Sequence, residues 1–180
     1  MLERLDAAFA LLTLARSEQR IIDPQEDDLT DIVAEAMDRI SIRCRERQLR
    51  VEATLTAAPL RGNLELLAIA VSNLLDNAVK YSALGGLVQV TTVQVSPGWV
   101  ALTVGNDGEM LPADQVGLLF EPFQRGRRTR TGSADPTAVP GAGLGLSIVR
   151  AVATAHGGSA TATARPGGGL TLTLLLPVSR

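Results

Sequence analysis

Apolar residues recur along this chain at two periods, near 3.6 and near 2, and the switches between them divide it into elements. Leu2, Leu5, Phe9 and Leu12, with Glu3, Arg4 and Asp6 among them, predict an amphipathic helix over 2–19. It either packs on the core or continues a coiled coil or bundle; two heptads do not choose between these. Asp23-Pro24 breaks the pattern. The acidic run Glu26, Asp27 and Asp28 suits the positive end of a following helix. Leu29, Ile32, Val33, Ala36, Met37 and Ile40 form that helix's stripe, and Arg43, Arg45, Glu46 and Arg47 close it. Residues 49–56 alternate and predict a strand. Strands are also expected over 87–95 and 99–104, as a hairpin through Ser96-Pro97-Gly98, and over 158–164 and 169–176, separated by Arg165-Pro166-Gly167-Gly168-Gly169. A short helical piece is expected near 112–119, and Leu146, Ile148, Val149 and Val152 mark a helix after Gly145. Residues 121–142 carry Arg125, Arg127, Arg128 and Arg130 among Pro, Gly, Ser and Thr. Such a stretch is either disordered or a lid.

The helix over 63–81 carries the most information. Leu67, Val71, Leu74, Leu75 and Ala78 fill one side of it; Asn73, Asp76, Asn77, Lys80 and Tyr81 fill the other, within about 140°. A polar face is ordinarily just solvated. Two asparagines one turn apart are poor helix formers, and a face chosen for solubility would carry Glu, Lys or Arg instead. The pattern therefore points to binding.

Composition narrows the chemistry. The 180 residues are 46% apolar, enough for one domain with a sizeable core. A net charge of −2 gives no reason to expect nucleic acid or an anionic membrane. No run of about 18 apolar residues predicts a membrane span, and the start lacks a signal-peptide layout, so the chain reads as cytoplasmic. Single copies of Cys44 and His156 exclude an internal disulfide, a multi-cysteine zinc site and a two-histidine metal motif. Cys44 reads as a small buried filler. Lys80, the one lysine, sits in no phosphate-loop motif and on a helix rather than the strand a protein-kinase lysine needs.

Gly141-x-Gly143-x-Gly145 opens a helix, and a glycine turn at a helix start exposes N–H groups suited to phosphate. Alone it is equally a hinge, and it is not the dinucleotide fingerprint. Asparagine offers a neutral oxygen to Mg²⁺, and lysine a point charge to phosphate. Glycine turn, amide-and-lysine face and arginine-bearing segment together describe a nucleotide triphosphate site.

The order NLLDNAVKYS (73–82), VGNDGEMLP (104–112), FEPFQRG (120–126), GAGLGLSIV (141–149) and AHGG (155–158) resembles the N, G1, F and G2 boxes of the ATP-binding catalytic domain of sensor histidine kinases. LLTLARSEQ (11–19) resembles the end of that family's dimerisation and phosphoacceptor hairpin. The resemblance implies an α+β fold of the Bergerat type: a two-layer sandwich whose mixed, mostly antiparallel sheet is covered on one face by helices, preceded by an N-terminal helix. It implies a hairpin remnant over 1–22 and a catalytic domain over 23–180. It implies Mg-ATP as ligand and transfer of the γ-phosphoryl group to a histidine outside this chain, with the hairpin of the full-length kinase and a response regulator as partners. Residue by residue, Asn77 would be the Mg²⁺ ligand and Asn73 would sit near the γ-phosphate, where an amide is a poor base for water. Lys80 and Tyr81 would contact phosphates and nucleotide. Gly141, Gly143, Leu144 and Gly145 would line the triphosphate with backbone, and Arg125 would reach the γ-phosphate.

The G1 box departs from the family's Asp-x-Gly-x-Gly. Asn106, Gly108 and Met110 stand at the three positions. Asn106 still offers an acceptor to adenine, so adenine selectivity is expected with lower affinity, because a bond to an ionised acceptor is stronger by roughly 1 kcal/mol. A register shifted to Asp107 is the alternative, and Met110 should make the loop less open. His156 matches the HGG after the G2 helix rather than the family's phosphoacceptor. Two other readings of the whole remain: a docking module that binds nucleotide weakly, and a serine kinase or ATPase of the same superfamily.

Overall fold

The computed structural model describes residues 24–122 and 143–178. The expected N-terminal helix and most of the arginine-bearing segment lie outside these residues. A short strand β1 (Gln25–Asp28) leads into helix α1 (Leu29–Glu46); strands β2 (Arg50–Leu55) and β3 (Pro59–Gly62) precede helix α2 (Leu64–Tyr81). Strands β4 (Leu87–Ser96) and β5 (Trp99–Asn106) form the expected antiparallel hairpin. Then come a one-turn helix α3 (Ala113–Val116), helix α4 (Gly145–Ala155) and strands β6 (Ser159–Ala164) and β7 (Leu170–Pro177).

The main sheet has the order β2-β4-β5-β7-β6, and only β2 and β4 run parallel. Its two faces follow from the alternation. Val88 and Val90, Val100, Leu102 and Val104, and Leu172, Leu174 and Leu176 point to one side and are buried under the helices. The other side carries a cross-strand row, Thr54, Thr91, Thr103, Thr173 and Thr161, running through all five strands in register. Threonine suits a half-exposed pleated face, because its branched Cβ favours extended backbone and its hydroxyl stays wet. The helix layer fills the core with Leu29, Val33, Leu67, Leu74 and Leu75, each buried. Full burial of one such side chain stabilises by about 1.5–3 kcal/mol. The two-layer arrangement is the one expected.

The acidic run behaves differently from the expectation. Glu26 and Asp27 do not open α1; they lie in β1, paired antiparallel with Arg61 and Leu60 of β3, a pairing that strand periodicity over four residues does not reveal. Asp28 alone caps the helix. Its carboxylate accepts from the Thr30 backbone N–H at 2.8 Å, the Thr30 hydroxyl at 2.5 Å and the Ala58 N–H at 3.0 Å. Burial acts to raise its pKa, but these hydrogen bonds outweigh it and hold the carboxyl below its ordinary 3.8. A folded pKa below the unfolded one contributes stability above pH 3.8 that is lost as pH falls further. Asp28→Ala removes a cap and strands the Ala58 N–H, so a loss of about 1–3 kcal/mol in unfolding free energy is expected from urea denaturation at pH 7, with Asp28→Asn losing less.

Candidate active site

Helix α2 starts on Asn63, whose side-chain oxygen accepts from the Leu66 N–H at 3.0 Å. From there the apolar stripe sets the helix's rotation. With Leu67, Val71, Leu74, Leu75 and Ala78 buried, Asn73, Asn77 and Lys80 fall on one shared face. Asp76 is engaged elsewhere: it pairs with Arg43 of α1. Lys80 Nζ lies 5.4 Å from the centre of the Tyr81 ring, and Tyr81 is exposed.

The Asn73 amide is aimed. Its Nδ2 donates to the Ile69 carbonyl one turn back at 2.8 Å, which leaves Oδ1 facing α4. A Cβ on Gly145 would lie 2.7 Å from that oxygen, so only glycine permits this approach of the two helices. Asn77 differs. Its Oδ1 is buried and accepts no hydrogen bond among the described residues. An acceptor left in that state costs about 1–3 kcal/mol unless something ligates it.

Helix α4 presents its N-terminus to this face. Gly143 takes a φ of 72°, a conformation glycine adopts without strain, and Leu144 is buried and anchors the turn. Unlike α1 and α2, α4 has no side-chain cap among the described residues. Its first N–H groups and positive end are thus available to an anion. Gly141 and Arg125 lie outside the described residues.

The other end of the site forms where β5 stops. Asn106 is 2% exposed and continues the Val100, Leu102, Val104 series onto the helix-covered face. Asp107 is occupied elsewhere: its Oδ2 accepts from the Leu87 N–H at 3.1 Å, and its Oδ1 lies 3.6 Å from Arg165. Its backbone bonds Leu87 and Ala83. This places Asn106, not Asp107, toward the helices. Gly108 bridges to Ser82, and a Cβ there would lie 2.4 Å from the Tyr81 carbonyl. The end of α2 and the loop after β5 therefore touch backbone to backbone. Met110 is 77% exposed.

Sequence reasoning missed what holds this loop. Gly168 and Gly169, at φ of 94° and 89°, press the β6–β7 turn against it, and Gly169 donates to the Glu109 carbonyl at 2.9 Å. The signal was present: three consecutive glycines exceed what a hairpin turn needs.

His156 ends α4 and is 8% exposed. Its Nδ1 lies 2.8 Å from the Val152 carbonyl, and its Nε2 accepts from the Asn63 N–H at 3.0 Å. The neutral Nδ1–H tautomer satisfies both contacts. Both ring nitrogens are therefore engaged, which leaves none for phosphorylation. The histidine ties the end of α4 to the start of α2, and Gly62 leaves the room its ring takes. Burial pushes its pKa below 6.5, opposed in part by the bond to Val152. A depressed folded pKa means the unfolded chain binds the proton more readily, so stability is full above pH 6.5 and falls as pH drops below it. The urea midpoint is expected to decline between pH 7.5 and 5.5, well above the Asp28 window, and His156→Gln, which keeps an acceptor for Asn63, should flatten that decline.

The family described as histidine kinase-, DNA gyrase B- and HSP90-like ATPase matches residues 62–180. The sensor protein CutS of Streptomyces coelicolor is 43% identical over 82% of this chain and 34% of its own length. The signal transduction histidine-protein kinase/phosphatase MprB of Mycolicibacterium paratuberculosis is 35% identical over 82% of this chain and 26% of its own. The chain thus spans about a third or less of the curated relatives it matches. A solved structure of the mycobacterial sensor histidine kinase MprB superposes with a TM-score of 0.71 at 32% identity, over 86% of this chain and 97% of that one. The ATP-binding domain of PrrB from Mycobacterium tuberculosis gives 0.66 at 27%, over 88% and 100%.

Proposed function

The chain belongs to the histidine kinase-, DNA gyrase B- and HSP90-like ATPase family, and on that premise we propose that it binds Mg-ATP and transfers the γ-phosphoryl group to a histidine carried outside this sequence. The observation that carries the reading is the buried Oδ1 of Asn77, which has no hydrogen-bond partner among the described residues and lies on the same helix face that the start of α4 approaches. A neutral oxygen beside a phosphate site fits Mg²⁺, which takes few protein ligands when phosphates supply the rest. Asn77 would hold the ion, which supplies charge neutralisation across the phosphate oxygens.

The chain's own groups then divide the work. The first N–H groups of α4 bind phosphate oxygens, and Gly143 and Gly145 keep side chains out of their way. Lys80 adds positive charge at the end of α2, and Asn106 with Gly108 borders the base. Asn73 cannot act as a general base, because its amide has no basic pair near neutral pH and its nitrogen is bonded to Ile69. That suits transfer to an imidazole, which is itself a nucleophile, over activation of water. The catalysis is positioning and electrostatics. Arg125, and the hairpin expected over 1–22, complete the scheme as the sequence resemblance has it; a response regulator would take the phosphoryl group onward. No helix among the described residues is long and apolar enough to cross a membrane, and we place the domain in the cytoplasm.

The test is to supply a separately expressed phosphoacceptor hairpin with this chain, radiolabelled ATP and Mg²⁺. Label on histidine, lost in acid and kept in alkali, is expected. Acid-stable label on a serine, or rapid ATP hydrolysis by the chain alone, would overturn it in favour of another member of the superfamily.

A further inference from the structure

Asn106 is where this site departs from a carboxylate, and the amide's surroundings bear on which base it accepts. The side chain is 2% exposed on the helix-covered face, beside the Gly108 loop that meets the end of α2. Among the described residues one weak bond orients it: Nδ2 reaches the Asp107 carbonyl at 3.4 Å, beyond ordinary N–H···O length. Asp107 does not bring a negative charge to compensate, since its carboxylate is turned to Leu87 and Arg165.

From this we infer that the site accepts guanine as well as adenine nucleotides, and that Asn106 is the residue responsible. The inference rests on the proposed nucleotide site and concerns its base specificity. An asparagine amide carries an acceptor and two donors, and a half-turn about its terminal torsion exchanges them. With Oδ1 toward the base it accepts from the adenine amino group. With Nδ2 toward the base it donates to the guanine O6, the acceptor that replaces that amino group. A carboxylate has no donor to offer and sets a negative oxygen against O6. That repulsion is the element that rejects guanine, and this chain lacks it. The long bond to Asp107 is too weak to hold the amide one way round. The sequence alone suggested retained adenine selectivity because it treated Asn106 as an acceptor only.

The test is competition, read as binding rather than turnover. A fluorescent ATP analogue bound to the chain in the presence of Mg²⁺ is displaced by ATP and, separately, by GTP. The two dissociation constants are expected within about tenfold of each other, the spread that a neutral hydrogen bond on either side leaves. In Asn106→Asp the ratio should widen in favour of ATP to about a hundredfold or more, since a buried acceptor facing another acceptor costs a missing bond and a repulsion together. Tight ATP binding by the unsubstituted chain with GTP more than about a hundredfold weaker would overturn the inference by itself, whatever the variant's folding. Displacement by neither nucleotide would overturn the nucleotide-site reading, and the inference with it.

Discussion

Replacing Asn77 by alanine is expected to abolish Mg²⁺-dependent ATP binding while leaving the domain as stable as before, or slightly more so. Those two effects seldom go together, and their combination tests the role of the residue. Asn77 Oδ1 is buried and accepts no hydrogen bond among the described residues, so without ligand it carries a penalty rather than a gain. Removing a buried acceptor that nothing satisfies relieves a penalty of about 1–3 kcal/mol, set against the small packing loss of the side chain. Binding should fall by about a hundredfold or more, because even outer-shell partners of a metal site are worth 10–100-fold. Chelation of Mg²⁺ should reduce ATP affinity in the original chain and leave the variant unaffected. Calorimetric titration with a non-hydrolysable ATP analogue, with and without EDTA, reads the first effect; urea denaturation reads the second. Unchanged affinity in Asn77→Ala would remove Asn77 from the site.

The second large effect is on the fold. Gly169→Ala is expected to destabilise the domain by about 3–5 kcal/mol, at the upper end for a single methyl group. Two independent reasons add. The residue sits at φ 89°, where an L side chain is strained, and its Cβ would lie 1.9 Å from the carbonyl oxygen of Asn106. Backbone faces backbone there, so no side chain can rotate aside. The same displacement pushes on Asn106 and Gly108, so nucleotide affinity should fall with stability. Gly167→Ala, two residues earlier in the same turn, is the control. A Cβ there meets nothing within 4 Å, and a change within about 0.5–1 kcal/mol is expected. Equal urea midpoints for the two variants would show that the turn does not brace the loop.

The elements were legible because their signals are local. The stripe of α2 predicted a helix over 63–81, and it runs from Leu64 to Tyr81 with the same residues buried. The β4–β5 hairpin followed from alternation around Ser96-Pro97-Gly98. Strands β1 and β3 went unread. Each is four residues long, too short for a period to show, and each is a strand only because the other pairs with it. The candidate site was legible in the same divided way. The asparagines, the lone lysine and the glycine turn pointed to a phosphate-binding chemistry through their types and spacing. The bracing of Asn106 by Gly168 and Gly169, about sixty residues later in the chain, did not, since no local pattern states which turn touches which loop.

The sequence by itself determined which residues face together on α2, that a glycine turn opens the next long helix, and that the one histidine follows it. These are consequences of helical period and of backbone sterics, which act over a few residues. Tertiary structure alone decided that Asn73 meets Gly145, that Asn77 keeps a buried oxygen with no partner among the described residues, that Asn106 and not Asp107 turns toward the helices, and that His156 bonds the start of α2. Each of those depends on an ångström-scale distance between segments far apart in the chain. Such distances are set by how the sheet and helix layers pack, which no stretch of sequence specifies alone.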